Sequence, residues 1–263
     1  MAPVLVIAYL ATAMVATSPV AVTYQEWIRT YTARGGDAGF HEKDDWLGIA
    51  IPGGSRGGVS PGGLLRPKGV EEVRLSGAGV RNAHVVAVLR WPGVRRLYIQ
   101  NCTGLDDTVF PLFGASASRE IHMYDMPVTA AGVSGLSGSK TIQKINLVTT
   151  LNDKFADLKL TDMAQLESLM LLGFRITSVV LSEMPKLESI FDSSDLVPTR
   201  LRRVELSNLP LLPQVNFALA PVDKLVVDQC PALEEILVKK AKLSDDDIAA
   251  LIRKNPKLKV VRR

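Results

Sequence analysis

The stretch that decides the fold is "VRRLYIQNCTGL", residues 94–105. After Val94 it alternates: Leu97 and Ile99 on one side, Arg96, Tyr98 and Gln100 on the other. That two-residue period is the mark of a half-buried strand. Asn101-Cys102 then breaks the alternation, and Leu105 is apolar again. Cys102 in such a place is a nucleophile, half of a disulfide, a metal ligand, or a small residue fitted into a turn.

Sliding the apolar pattern L-x-x-L-x-L along the chain, with Val and Ile allowed, finds it repeated. It fits at Val70-Val73-Leu75, Val94-Leu97-Ile99, Ser118-Ile121-Met123, Ile142-Ile145-Leu147 and Leu166-Leu169-Leu171. The first slots fall at 70, 94, 118, 142 and 166, a constant step of 24. Weaker fits follow at Leu187-Ile190, Leu201-Val204-Leu206 and Val222-Leu225-Val227, with steps of 21, 14 and 21. A regular period of this length is how a stacked array of one small unit reads in sequence.

These segments resemble leucine-rich repeats, whose consensus is L-x-x-L-x-L-x-x-N/C-x-L. "VRRLYIQNCTGL" fills it with Val94, Leu97, Ile99, Cys102 and Leu105, and "VDKLVVDQCPAL" with Val222, Leu225, Val227, Cys230 and Leu233. The ninth slot holds Ala78, Met126, Thr150, Phe174 and Leu209 elsewhere, and Asp192 stands where the 187 repeat needs an apolar residue. The resemblance implies an α/β leucine-rich-repeat solenoid, right-handed and curved. Its concave face is a parallel β-sheet and its convex side mixes helical and extended returns. "NAHVVAVLRW" (82–91) and "AAGVSGLSG" (130–138) suit helical returns, and "TSVVLSEMP" (177–185) an extended one.

The expected organisation is an N-terminal hydrophobic segment at 1–25, a cap and Gly-rich loop at 26–69, repeats at 70–243 and a C-terminal cap at 244–263. Residues 1–25 carry no charge. "VLVIAYLATAMVA" reads as the core of a signal peptide or an anchor, with Ala11-Thr12-Ala13 and Ala16-Thr17-Ser18 as cleavage contexts. No Lys or Arg precedes it, and Thr12, Thr17, Ser18 and Pro19 interrupt it. A buried first element of the fold is the competing reading. In the C-terminal cap, Ser244 is the N-cap and Asp245–Asp247 lie in the first turn, where the helix dipole favours acids. Ile248, Leu251 and Ile252 make the apolar face, and this ending resembles the tails of some bacterial leucine-rich-repeat proteins.

Both cysteines occupy the ninth slot, as a structural ladder. Six repeat starts at the strand spacing place Cys102 and Cys230 about 29 Å apart, far beyond the ~7 Å Cα separation a disulfide allows. A buried thiol with no second cysteine is neither a nucleophile nor a metal ligand. Other chemistry is weakly signalled. "GVSGLSGSKT" (132–141) lacks the Gly before Lys140 that a phosphate loop needs. "FHEKDDW" (40–46) groups His41, Glu42, Asp44 and Asp45 without the spacing of a zinc site. His84 and His122 join no catalytic grouping. The net charge of +4 is too small to imply nucleic acid, and the basic ending from Lys239 to Arg263 reads as a solvated cap face. No metal or cofactor is expected, and no enzyme activity.

What the repeats present outward is the candidate site. The middle outward position reads Arg74, Tyr98, His122, Asn146, Met170, Phe191, Glu205 and Val226; two residues on come Ser76, Gln100, Tyr124, Val148 and Leu172. Tyr98, His122, Tyr124, Met170, Leu172 and Phe191 are the expected partner-binding residues, because aromatics and Met are enriched where proteins bind proteins. The expected function is a non-catalytic protein-binding module, a monomer that is secreted or membrane-associated, with a cytoplasmic protein as the alternative. Two rivals remain: the substrate-recognition part of an enzyme complex or secreted effector, of the ubiquitin-ligase type, and a membrane-anchored structural protein. No ligase adaptor is recognisable in residues 1–69.

Overall fold

The computed structural model describes residues 23–34, 37–41, 46–51, 67, 69–151, 154–191, 201–217, 222–238 and 243–262. Most of the N-terminal hydrophobic segment, the 42–45 part of the acidic run and 52–66 of the Gly-rich stretch lie outside them. Among the described residues no helix is long and apolar enough to cross a membrane.

Helix α1 (Tyr24–Ala33) starts at a reciprocal cap: Thr23 Oγ1 accepts from the Glu26 N–H at 3.2 Å, and the Glu26 carboxylate accepts from the Thr23 N–H at 3.0 Å. Trp27 and Tyr31, four residues apart and so on one face, are both buried, their rings stacked at 4.9 Å. Strands β1 (Asp37–His41) and β2 (Trp46–Ala50) form an antiparallel pair. From β2 on, every pairing is parallel.

The chain then alternates strand and return. After β3 (Glu72–Ser76) comes α2 (Asn82–Leu89); after β4 (Arg96–Gln100), a 3-10 turn and α3 (Phe110–Gly114). After β5 (Glu120–Tyr124) comes α4 (Ala130–Val133) with a 3-10 turn. From β6 (Lys144–Val148) the return changes to strand: β7 (Ala156–Thr161), β8 (Ser168–Leu172), β9 (Ile176–Ser182), β10 (Ser189–Phe191) and β11 (Arg203–Ser207) follow. The last elements are β12 (Gln214–Phe217), β13 (Lys224–Asp228), β14 (Glu235–Val238), α5 (Asp245–Lys254) and β15 (Lys259–Arg262). The change has a local cause. "NAHVVAVL" has no polar side to alternate with its apolar one, whereas "ADLKLT" alternates and "ITSVVLS" is rich in β-branched residues.

The result is a mixed α/β protein with large parallel sheets. The first sheet runs β1-β2-β3-β4-β5-β6-β8-β10, the second β13-β11-β9-β7, the third β12-β14-β15. In the first, Val73, Leu97, Ile121, Ile145 and Leu169 stand directly opposite one another, as do Leu75, Ile99, Met123, Leu147 and Leu171. All ten are buried. The 24-residue step is therefore the sheet register itself.

One sequence expectation changes here. The pattern fits at 201 and 222 do not continue the series of the first sheet: Val204 and Leu225 belong to β11 and β13, in the second sheet. A step of 14 residues is too short for a full circuit and carries the chain only across to the opposite side. Strand β10 is followed on its own side by β12, against which it packs. Each long edge of the second sheet has a neighbour. Ser134 Oγ, just after α4, accepts from the Lys159 N–H at 2.8 Å on the β7 side, and α5 packs on β13. On α5, Ser244 and Asp247 cap reciprocally; Leu251 is buried, Ile248 half-buried and Ile252 exposed, so the apolar stripe is narrower than three residues.

The corner after each strand recurs. A residue with left-handed φ leaves the strand: Gly77, Asn101, Asp125 and Gly173 on the first sheet, Asp162, Glu183, Asn208 and Gln229 on the second. The N–H groups of Asn101 and Asp125 donate to the last carbonyls of the next strands, Tyr124 at 3.0 Å and Val148 at 2.9 Å; Asn208 does the same to Asp228 at 3.0 Å. In most corners an apolar side chain then turns inward, among them Cys102, Met126, Met163, Met184, Leu209 and Cys230, all buried.

Candidate binding face

The outward side chains of the first sheet stand in rows set by its register. One row is Trp46, Glu72, Arg96, Glu120, Lys144 and Ser168. From Glu72 to Lys144 it alternates in sign and neutralises itself. Glu72, 6% exposed, lies 2.8 Å from Arg74 Nε and 3.0 Å from Arg96 Nε. Glu120 lies 3.4 Å from His122 Nε2 and 3.8 Å from Lys144 Nζ. A buried carboxylate needs such partners, because leaving it unpaired costs several kcal/mol (order of magnitude).

The middle row is Gly48, Arg74, Tyr98, His122, Asn146 and Met170. The Arg74 guanidinium carbon lies 4.0 Å from the Trp46 ring and 5.0 Å from the Tyr98 ring. Tyr98 stacks on His122 at 4.2 Å with the planes 5° apart. Strands about 4.8 Å apart place consecutive planar groups at stacking distance, so the middle row stacks from Arg74 to His122, and Trp46, leaning over Gly48 from the first row, extends the stack by one ring. Tyr124 in the next row accepts from Asn146 Nδ2 at 3.1 Å. Beyond it Val148, Met170 and Leu172 are half-buried and apolar.

Of the six residues expected to bind a partner, Tyr98, His122, Tyr124, Met170 and Leu172 thus lie on one face of one sheet. Phe191 follows Met170 in register, but its side chain lies outside the described residues. Glu205 and Val226, expected further along the same row, lie on the second sheet.

At the β1–β2 end of the face is an open pocket of about 330 Å³ that the sequence reading missed. Gly48 and Ala50 lie in it; a Cβ at Gly48 would meet Trp46 Cζ3 at 2.8 Å, so the glycine lets the indole lean over the strand. Trp46, Arg74 and Tyr98 line it, with Asp37, Ser76 and Gln100. The alternation of "WLGIA" was a readable signal, but Trp46 pairs with Glu72, a step of 26 that a 24-residue ruler passes over.

The cysteines are structural corners. Cys102 Sγ donates to the Gln100 carbonyl at 3.1 Å and Cys230 Sγ to that of Asp228 at 3.2 Å. Burial pushes the Cys102 thiol up to about 12 and raises that of Cys230, which favours the neutral thiol at both corners. They follow β4 and β13, so they occupy equivalent corners of two different sheets, not one column. His84 is buried and its Nδ1 accepts from the Arg81 N–H at 3.0 Å, a helix-capping role. Lys140, from the rejected phosphate loop, bridges to Asp162 at 2.6 Å. No cluster of metal-ligating side chains occurs among the described residues.

His122 titrates with consequence. Burial lowers its pKa below the usual 6.5, outweighing the opposing pull of Glu120. The folded state therefore favours the neutral ring. Its contribution to stability is complete above pH 6.5 and is lost as pH falls below that value. Thermal melts at pH 7.5 and 5.5 should show a larger drop for the wild type than for His122→Gln; equal drops would remove His122 as a source of acid sensitivity.

Compared with known proteins, the chain matches no family model, and none of the curated proteins matches it.

Proposed function

We propose that the chain is an irregular leucine-rich-repeat solenoid that holds a protein partner on the outward face of its first sheet and does no covalent chemistry. The observation that carries this reading is the continuity of that face. Five strands in unshifted register present an ordered aromatic–cation stack beside a half-buried apolar shelf of Val148, Met170 and Leu172. Planar groups already fixed by one another lose little entropy on binding, which is what a recognition surface needs. The 24-residue period and the recurring corner at Asn101-Cys102 support the repeat reading. The strand returns after β6 make it a mixed form of that architecture.

The test is capture from the native source with full-length chain as bait. Tyr98→Asp with Met170→Asp places two charges on the face without touching the buried rows, and should cut partner recovery at least tenfold while thermal unfolding shifts little. Undiminished recovery of the same partner by the folded double variant would retire the face as its docking surface.

A further inference from the structure

The pocket beside β2 has more specific chemistry than the rest of the face, and its centre is a guanidinium held from three sides. Arg74 Nε donates to Glu72 Oε1 at 2.8 Å. The Trp46 ring, from the preceding strand, lies 4.0 Å from the guanidinium carbon, and the Tyr98 ring, from the following strand, 5.0 Å. With Nε and the planar faces engaged, the two Nη groups are the part left to act, and they make no hydrogen bond among the described residues. Arginine at a surface normally pays in side-chain freedom for each partner it fixes; here that freedom is already spent. A planar fork with two parallel donors is matched by a carboxylate, which it binds through two hydrogen bonds.

We infer that this pocket is the subsite for one carboxylate of an extended peptide that lies across the strands of the first sheet. The inference rests on the reading of that face as a partner surface and deepens it. The size agrees: about 330 Å³ is at the small end for ligand pockets, enough for one residue and not for a large cofactor. The charge agrees as well. Asp37 also lines the pocket, and its charge opposes a phosphate dianion about twice as strongly as a single carboxylate. Asp37 can in turn accept a main-chain N–H of the ligand, and Ser76 and Gln100 add uncharged partners. At the far end of the peptide is the apolar shelf. Arg74 on β3 and Met170 on β8 are four strand spacings apart, about 19 Å. An extended chain covers that in about six residues at ~3.3 Å each.

The experiment is a screen of the folded, full-length chain against a displayed library of random decapeptides with free C-termini, followed by titration of the strongest synthetic binder. Selected sequences should carry Asp, Glu or the C-terminal carboxylate about six positions from Met, Leu, Val or Phe. Arg74→Gln should weaken that binder about tenfold. It should leave unchanged a version in which the carboxylate is neutralised, Asn or Gln for the side chain and an amide for the C-terminus, and these two arms tell the sources apart. Arg74→Lys keeps the charge without the fork and serves if Arg74→Gln fails to fold; it too should lose most of the affinity. Binders that ignore both Arg74 and the carboxylate yet are lost in Met170→Asp would overturn the subsite and leave the face. Binders indifferent to both Arg74→Gln and Met170→Asp, or none at all, would count against both.

Discussion

Gly173→Ala is expected to destabilise the protein by about 3 kcal/mol, the sum of ~1–2 for left-handed backbone at a residue with a Cβ and ~1–3 for forced overpacking. Gly173 leaves β8 with φ +78°, and a Cβ there would stand 1.9 Å from the Thr149 carbonyl oxygen. That carbonyl belongs to the corner one strand earlier, and the Thr149 N–H is itself bonded to the Leu172 carbonyl at 2.9 Å. Neither corner can move away without breaking the ladder that joins β6 to β8. Asn101→Gly is the matched control. Asn101 already takes φ 56° at the equivalent corner, so glycine there should change stability by less than about 0.5 kcal/mol. Urea unfolding of the two variants measures the contrast, and a Gly173→Ala loss under about 1 kcal/mol would show that the corner yields.

That contrast also marks what could be read in advance. The first sheet was legible because its core residues repeat at 24 with no shift, so Val73, Leu97, Ile121, Ile145 and Leu169 announced their own register. The second sheet was not, because Val204 and Leu225 satisfy the same apolar pattern as the first. Local alternation says that a residue faces a core, and not from which side. Only the length of the circuit separates the two, and with returns of unequal length that information is not local. The candidate face was legible as rows. Its contacts were not: the Tyr98–His122 stack requires only adjacent strands, but the pinning of Arg74 requires Trp46, which lies on a strand outside the period. The corners were half-legible. Cys102 and Cys230 in the ninth slot point to a turn, whereas Asp125 and Glu183 fill the left-handed position without any such signature.

Trp27→Ala is expected to cost about 3–5 kcal/mol, the range for removing a large buried aromatic side chain, and to loosen one end of the molecule in particular. The indole is 1% exposed, stacks on Tyr31 and meets Trp91 edge-on at 5.4 Å. Through Trp91 it ties α1 to the turn between α2 and β4. Its Nε1 is buried and makes no hydrogen bond among the described residues, so no bond is lost on truncation and the whole cost is packing and cavity. Trp27→Phe should therefore recover most of the loss, since it refills part of the space and removes an unpaired N–H whose burial itself costs ~1–3 kcal/mol. The location of the effect follows from the topology. Each strand of the first sheet pairs only with its neighbours, so a weakened end does not reach the middle. Hydrogen exchange on Trp27→Ala should speed up at amides of α1, β1 and β2 while those of β6 and β8 keep their protection. Uniform acceleration across the sheet would mean that the strands unfold as one unit and that α1 is part of a single cooperative core.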